Sequence, residues 1–145
     1  MPRITVDLPA RVDRVAAYLR DPGNRPAWQS SLRAVADLEP GADGPGGVGT
    51  TWVDVTAVPG VRPRMRIVAS TPDRWVEEGV FGPFRATLAL TFSPLAAGQG
   101  PPGGTRVTAD FEVSGAGLGP LLGALARRAI RADLRRAGTA LTVDE

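Results

Sequence analysis

The sequence predicts an α+β domain in which an antiparallel sheet is covered by one long C-terminal helix. Three observations carry this. One short alternating stretch and two helical pieces come first. A run of alternating stretches separated by Pro/Gly turns follows. A single long amphipathic stretch, roughly Gly119–Val143, then closes the chain. A sheet with one apolar face has to be covered by another layer, and the last helix is the only long element available for it. A curved sheet closed by one helix leaves a hollow, so the pattern points to a small-molecule pocket more clearly than to any one chemistry.

Length and composition bound the rest. The 145 residues suit one domain, 1–145, with a sizeable core. Apolar residues are 43% and charged residues 22%, both ordinary for a globular domain. No apolar run approaches the ~18 residues of a membrane span, and Met1–Asp7 has no signal-peptide apolar region. A cytoplasmic location is expected.

There is no Cys, His or Lys, and all 17 cations are Arg. The isoelectric point of 10.3 follows from that inventory, because Arg stays protonated beyond about pH 12. Net charge is only +2, so nucleic-acid binding is not expected. Disulfides, thiol nucleophiles, imidazole bases, Ser-His-Asp triads and Cys/His zinc sites are excluded. No acidic cluster suits Mg²⁺ or Ca²⁺, so neither metal nor cofactor is expected.

Ile4, Val6 and Leu8 alternate with polar residues and predict a half-buried strand. Pro9 sits where a helix would begin; Val12, Val15, Ala16 and Leu19 follow at helical spacing, up to the break at Asp21-Pro22-Gly23. Arg25–Ser30 predicts a second short helix carrying Trp28. Strands are expected at Ala34–Leu38, Gly49–Thr56, Arg64–Ser70, Arg74–Val80, Phe84–Ser93 and Thr105–Ser114. No segment between these strands is long and helical enough for a parallel crossover, so the pairing should be antiparallel.

Ala86, Leu88, Leu90 and Phe92 share one face, as do Val107, Ala109, Phe111 and Val113, and Met65 with Ile67. These sets define the inner face; Arg62, Arg64 and Arg66 should form a solvated outer one. In the last helix, Leu118, Leu121, Leu122, Leu125, Ala129 and Ile130 fall in one arc, opposite Arg127, Arg128, Arg131 and Arg135. Its many small residues allow close approach to the sheet or leave volume unfilled. Gly123 and Gly138 each cost about 1 kcal/mol relative to Ala.

The local motifs are Val6-Asp7-Leu8-Pro9-Ala10 leading into Val12 and Val15, then Asp21-Pro22 and Trp28, Val48-Gly49-Thr50, Thr71-Pro72-Asp73-Arg74, and Gly104-Thr105-Arg106-Val107. In this order they resemble the START-like helix-grip (SRPBCC) superfamily, particularly its polyketide cyclase/dehydrase and lipid-transport branch. The resemblance covers nearly the whole chain. It implies a helix-grip fold: a curved seven-stranded antiparallel sheet wrapped around the long C-terminal helix, with two short helices after the first strand and a deep, mostly apolar cavity. It leaves activity open, because the superfamily holds aromatases, cyclases, hormone and lipid binders.

Two registers are open for the strand carrying Trp52. If Trp52 faces inward, as the family pattern implies, Asp54 and Thr56 do too, and an apolar wall would raise the carboxyl pKa and suit it to general acid–base work. In the reverse register Val53 and Val55 are buried and Asp54 is solvated. Glu77 has the same ambiguity: inward with Trp75, or at the rim beside Glu78. Asp133 lies in the apolar arc and needs a partner, which Arg136 can supply at i,i+3; the alternative is a polar anchor for a ligand. Trp28, Trp52 and Trp75 either pack the core or line a cavity. Tyr18 falls off its helix's apolar stripe, at an expected surface position. Gly115–Gly119 lacks a phosphate-loop ending and reads as a hinge before the closing helix.

The expected site therefore has Asp54 and Glu77 as catalytic groups and Trp28, Trp52, Met65, Ile67, Trp75, Leu88, Leu90, Phe111, Leu125, Ala129 and Asp133 around a hydrophobic or aromatic small molecule. Two functions follow: a polyketide cyclase or dehydratase, or a non-catalytic lipid or metabolite carrier or sensor. Converging carboxylates favour the first, an apolar wall with one polar anchor the second. A third, a protein-interaction module, requires a large exposed apolar sheet face and a filled interior. Without His, activity should be flat between about pH 6 and 8 unless a carboxylate is strongly shifted.

Overall fold

A computed structural model describes residues 3–115 and 119–143, with side chains of the last helix described over 126–142. The chain folds as β1 (Ile4–Leu8), α1 (Val12–Arg20), a 3-10 turn (Pro22–Asn24), α2 (Arg25–Trp28), β2 (Leu32–Glu39), β3 (Thr51–Thr56), β4 (Arg64–Thr71), β5 (Arg74–Phe81), β6 (Phe84–Pro94), β7 (Thr105–Ser114) and α3 (Gly119–Val143). The strands form one curved, wholly antiparallel sheet in the order β1-β7-β6-β5-β4-β3-β2. This is the helix-grip arrangement.

The alternation sets the faces as expected. Leu88 pairs with Phe111, Leu90 with Ala109 and Phe92 with Val107, all on the inner side. Arg62, Arg64 and Arg66 are exposed on the outer side. Several boundaries differ for local reasons. Helix α1 begins at Val12 with Arg11 as its N-cap, so Pro9 precedes the helix instead of opening it. Helix α2 ends at Trp28, because Gln29 is extended. Strand β3 starts at Thr51, after Gly49 turns the chain with φ +90°.

Helix α3 does two different things along its length. Leu134, Ala137 and Leu141 are fully buried against the sheet and α1, and each such leucine contributes about 2 kcal/mol. A Cβ at Gly138 would lie 2.8 Å from the Leu8 side chain, so the glycine is what lets the helix sit on β1. Further toward its N-terminus, Ala126, Ala129 and Ile130 face unfilled space. Small residues thus serve close approach at one end and leave a hollow at the other. Residues 116–118 of the expected hinge, Leu118 of the expected arc among them, lie outside the described residues, as do the side chains of Leu121, Leu122 and Leu125.

Gly115, just after β7, has φ +110°, and a Cβ there would overlap the carbonyl oxygen of Pro83 in the β5–β6 turn. Gly115→Ala is therefore expected to lower stability by about 2 kcal/mol. The measurement is a urea midpoint that falls at constant slope; an unchanged midpoint would show that the turn yields freely.

Candidate functional site

Strand β3 takes the register that points Trp52, Asp54 and Thr56 inward. Trp52 is 2% exposed and Asp54 6%, while Val53 and Val55 face out and are half-buried. Burying one indole removes more apolar surface than burying either valine, and a partner waits for the carboxylate. On β5, Trp75, Glu77 and Gly79 point inward, and Glu78 is half-buried on the other side. Strand β4 lies between the two, with Met65 opposite Trp52 and Gly79. The Asp54 and Glu77 carboxylates converge across it.

They meet at Arg25, which α2 brings down from above. Its side chain is 2% exposed. Arg25 Nη1 donates to Glu77 Oε2 at 2.7 Å and Nη2 to Glu77 Oε1 at 3.3 Å, a fork pairing that a guanidinium favours. Nη2 also lies 3.5 Å from Asp54 Oδ2. Asp54 Oδ1 accepts 2.7 Å from Trp52 Nε1. The guanidinium carbon is 5.1 Å from the Trp52 ring centroid and 5.9 Å from that of Trp28, a cation–π arrangement.

Two buried carboxylates thus share one cation. Burial pushes the Glu77 carboxyl above the usual carboxylate range; Arg25 pulls it back, and the Asp54 charge pushes it up further. A group poised this way can hold or release a proton nearer to neutrality than an exposed glutamate does.

Above this cluster a cavity of about 420 Å³ opens between the sheet and α3. Of the expected site residues, Asp54, Glu77, Met65, Leu88, Phe111, Ala129 and Asp133 line it. Trp28, Trp52, Ile67, Trp75 and Leu90 do not: they point inward, yet belong to the packed cluster with Val15, Leu19, Leu134 and Leu141. Leu125 is a position whose side chain lies outside the described residues. Thr56, Ala86 and Ile130, placed on inner faces by the sequence but not named in the site, also line it; sequence reasoning missed Arg25, Gln29 and Ser31 among the polar groups and Leu32, Phe81 and Phe84 among the apolar ones.

Asp133 does two jobs. Its Oδ1 accepts from Ser30 N at 3.2 Å and Ser30 Oγ at 3.0 Å, and Arg136 Nη1 stands 3.7 Å away at i,i+3. It ties α3 to the end of α2 while facing the cavity. Tyr18 departs from its expected surface position and packs half-buried against the core. The hollow interior fails one of the two conditions of an interaction module, although Val53 and Val55 do face outward. Among the described residues, no helix is long and apolar enough to cross a membrane.

The sequence profile of the polyketide cyclase / dehydrase and lipid transport family matches residues 3–142. The chain belongs to that family. Solved structures show the same fold. A START superfamily protein from Mycobacterium smegmatis superposes with a TM-score of 0.75 at 15% identity, covering 99% of this chain and 98% of that one. The di-domain ARO/CYC protein StfQ of the steffimycin biosynthetic pathway gives 0.71 at 16%, covering 97% of this chain and 44% of its own. Ara h 8.0201 gives 0.71 at 11%, covering 98% and 97%. No curated protein matches the sequence. Family and fold both fit the binding of a hydrophobic small molecule.

Proposed function

We propose that the cavity binds a hydrophobic or aromatic molecule of polyketide type, and that Glu77, with Asp54 beside it, moves protons in its cyclisation and dehydration. The observation that carries this is the meeting of two buried carboxylates at one end of a mostly apolar hollow. A single polar anchor would have favoured carriage instead. The cavity volume falls in the ~300–1,000 Å³ range of small-molecule sites.

The chemistry needs few groups. Ionised Glu77 takes a proton from the carbon between two carbonyls of the substrate. The resulting enolate carbon attacks a third carbonyl, whose oxygen takes that proton back from Glu77. Glu77, ionised again, removes the second proton from the same carbon and passes it to the departing hydroxyl, so that a carbon–carbon double bond forms and water leaves. Holding a flexible chain in one folded conformer supplies much of the rate. Arg25 and Trp52 are positioning residues, fixing the two carboxylates.

The test is a synthetic aromatic β-polyketone incubated with wild type and Glu77→Gln. Wild type is expected to release water and cyclised product, with turnover rising with pH through the elevated Glu77 pKa. Glu77→Gln should lose about 10²–10⁴-fold in turnover while still binding the probe. Binding without turnover in wild type would mark a carrier. Equal turnover in the variant would remove Glu77 from the mechanism. Native mass spectrometry of freshly purified protein should reveal a co-purified organic molecule in either case.

A further inference from the structure

The charges on the cavity wall are unevenly matched. Asp54, Glu77 and Asp133 contribute three carboxylates, and Arg25 is the one guanidinium among the described lining residues. Residues 116–125, which include the undescribed side chains of the helix, are all uncharged in sequence, so they cannot redress the balance. Arg136 answers Asp133 from outside, its side chain 49% exposed. Arg25 spends both terminal nitrogens: its fork holds Glu77, it leans on Asp54, and its plane faces two indoles, which leaves only Nε without a described partner. The buried cluster is left with one negative charge in excess when all its members are ionised.

Carboxylates only accept hydrogen bonds, and each oxygen has two lone pairs. Asp54 Oδ1 uses one on Trp52, and Oδ2 has only the long 3.5 Å approach of Arg25. Acceptor capacity therefore remains at this end of the cavity, where the one cation among the described lining residues already answers two carboxylates. In a low-dielectric hollow an entering anion meets repulsion that solvent screens poorly. An entering hydroxyl or ammonium meets an acceptor. Phe81, Phe84 and Phe111 supply flat apolar surface along the wall.

We infer that this cavity selects hydrophobic ligands whose polar end is a hydrogen-bond donor or a cation, such as a phenol, an enol or an amine, and turns away carboxylates, including fatty acids. The inference rests on the proposal that the cavity is a ligand site and adds the chemical class that fits it.

The test uses the full chain and three probes of matched shape: naphthol, naphthylmethylamine and naphthoate, each displacing an apolar naphthalene dye near neutral pH. Naphthol and the amine should bind at least about tenfold more tightly than naphthoate. Asp54→Asn removes the surplus charge and keeps an oxygen for Trp52, so it should bring naphthoate to within about threefold of naphthol. Naphthoate binding as well as naphthol to wild type overturns the inference and leaves the cavity as a ligand site. An undiminished gap in Asp54→Asn overturns its electrostatic origin. Failure of the dye and all three probes to bind removes the ligand site itself. Should Asp54→Asn not fold, the wild-type series alone decides the selectivity.

Discussion

Arg25→Met is expected to destabilise the fold by about 3–5 kcal/mol, the usual result of removing one partner from a buried ionic group. For a chain of this size that corresponds to a fall in melting temperature of about 10 °C. The cause is specific. Arg25 is 2% exposed and answers two carboxylates that are themselves buried. Without it, Asp54 keeps only the indole N–H, and Glu77 keeps none of its described partners. Arg25→Lys should recover only part of the loss, because an ammonium cannot reproduce the fork.

The pH dependence follows from Glu77. Its folded pKa lies above the ordinary 4.5, so the folded state holds a proton that the unfolded state has given up. The stability linked to it is fully present below 4.5 and is lost as pH rises through the folded value. Removing Arg25 removes the attraction that restrains this rise. The gap between wild type and Arg25→Met should therefore be widest near neutrality and narrow as the solution is acidified toward pH 4.5. Thermal melts across that range measure it. A variant melting with wild type at neutral pH would mean that water, not Arg25, solvates the carboxylates.

The difference between what periodicity predicts and what the fold builds is plain at particular residues. Alternation identified the inner faces of β6 and β7, and the observed pairing of Leu88 with Phe111 follows from it. Of the residues placed in the apolar arc of α3, Ala129, Ile130 and Asp133 are described and line the cavity, whereas the packing against the sheet is made by Leu134, Ala137 and Leu141, which the arc did not name. Two things were beyond periodicity. The register of β3 was ambiguous because Trp52/Asp54 and Val53/Val55 make equally regular alternations, and the choice depends on a cation many residues away. Two inward carboxylates do demand a cation, but 17 arginines offered no way to choose. Arg25 sits in a four-residue helix with no periodicity of its own. The second gap concerns depth. A repeat of two says which face a residue is on, not where along the sheet the covering helix touches down. Trp75, Ile67 and Leu90 face inward as expected, yet α1 and the Leu134–Leu141 end of α3 belong to the same packed cluster, so they support the cavity without lining it.

Ala129→Trp should abolish most ligand binding while leaving the fold nearly as stable as wild type. Ala129 lines the cavity and is itself exposed. A larger side chain there enters space that is already empty, so the overpacking penalty of a filled core does not arise. Replacing Ala by Trp in a helix costs only about 0.5 kcal/mol of propensity. The indole occupies volume that a small aromatic ligand would need, and affinity for a naphthalene dye should fall by at least about tenfold, or 1.4 kcal/mol. Arg128→Trp is the matched control: it puts the same ring one residue away on the solvent face, and dye binding should be unchanged. If Ala129→Trp binds the dye as wild type does, the dye sits elsewhere, and the hollow under α3 is packing slack. If both variants lose binding together, the helix as a whole has shifted. Only the split result ties the ligand to the space between Ala129 and the sheet.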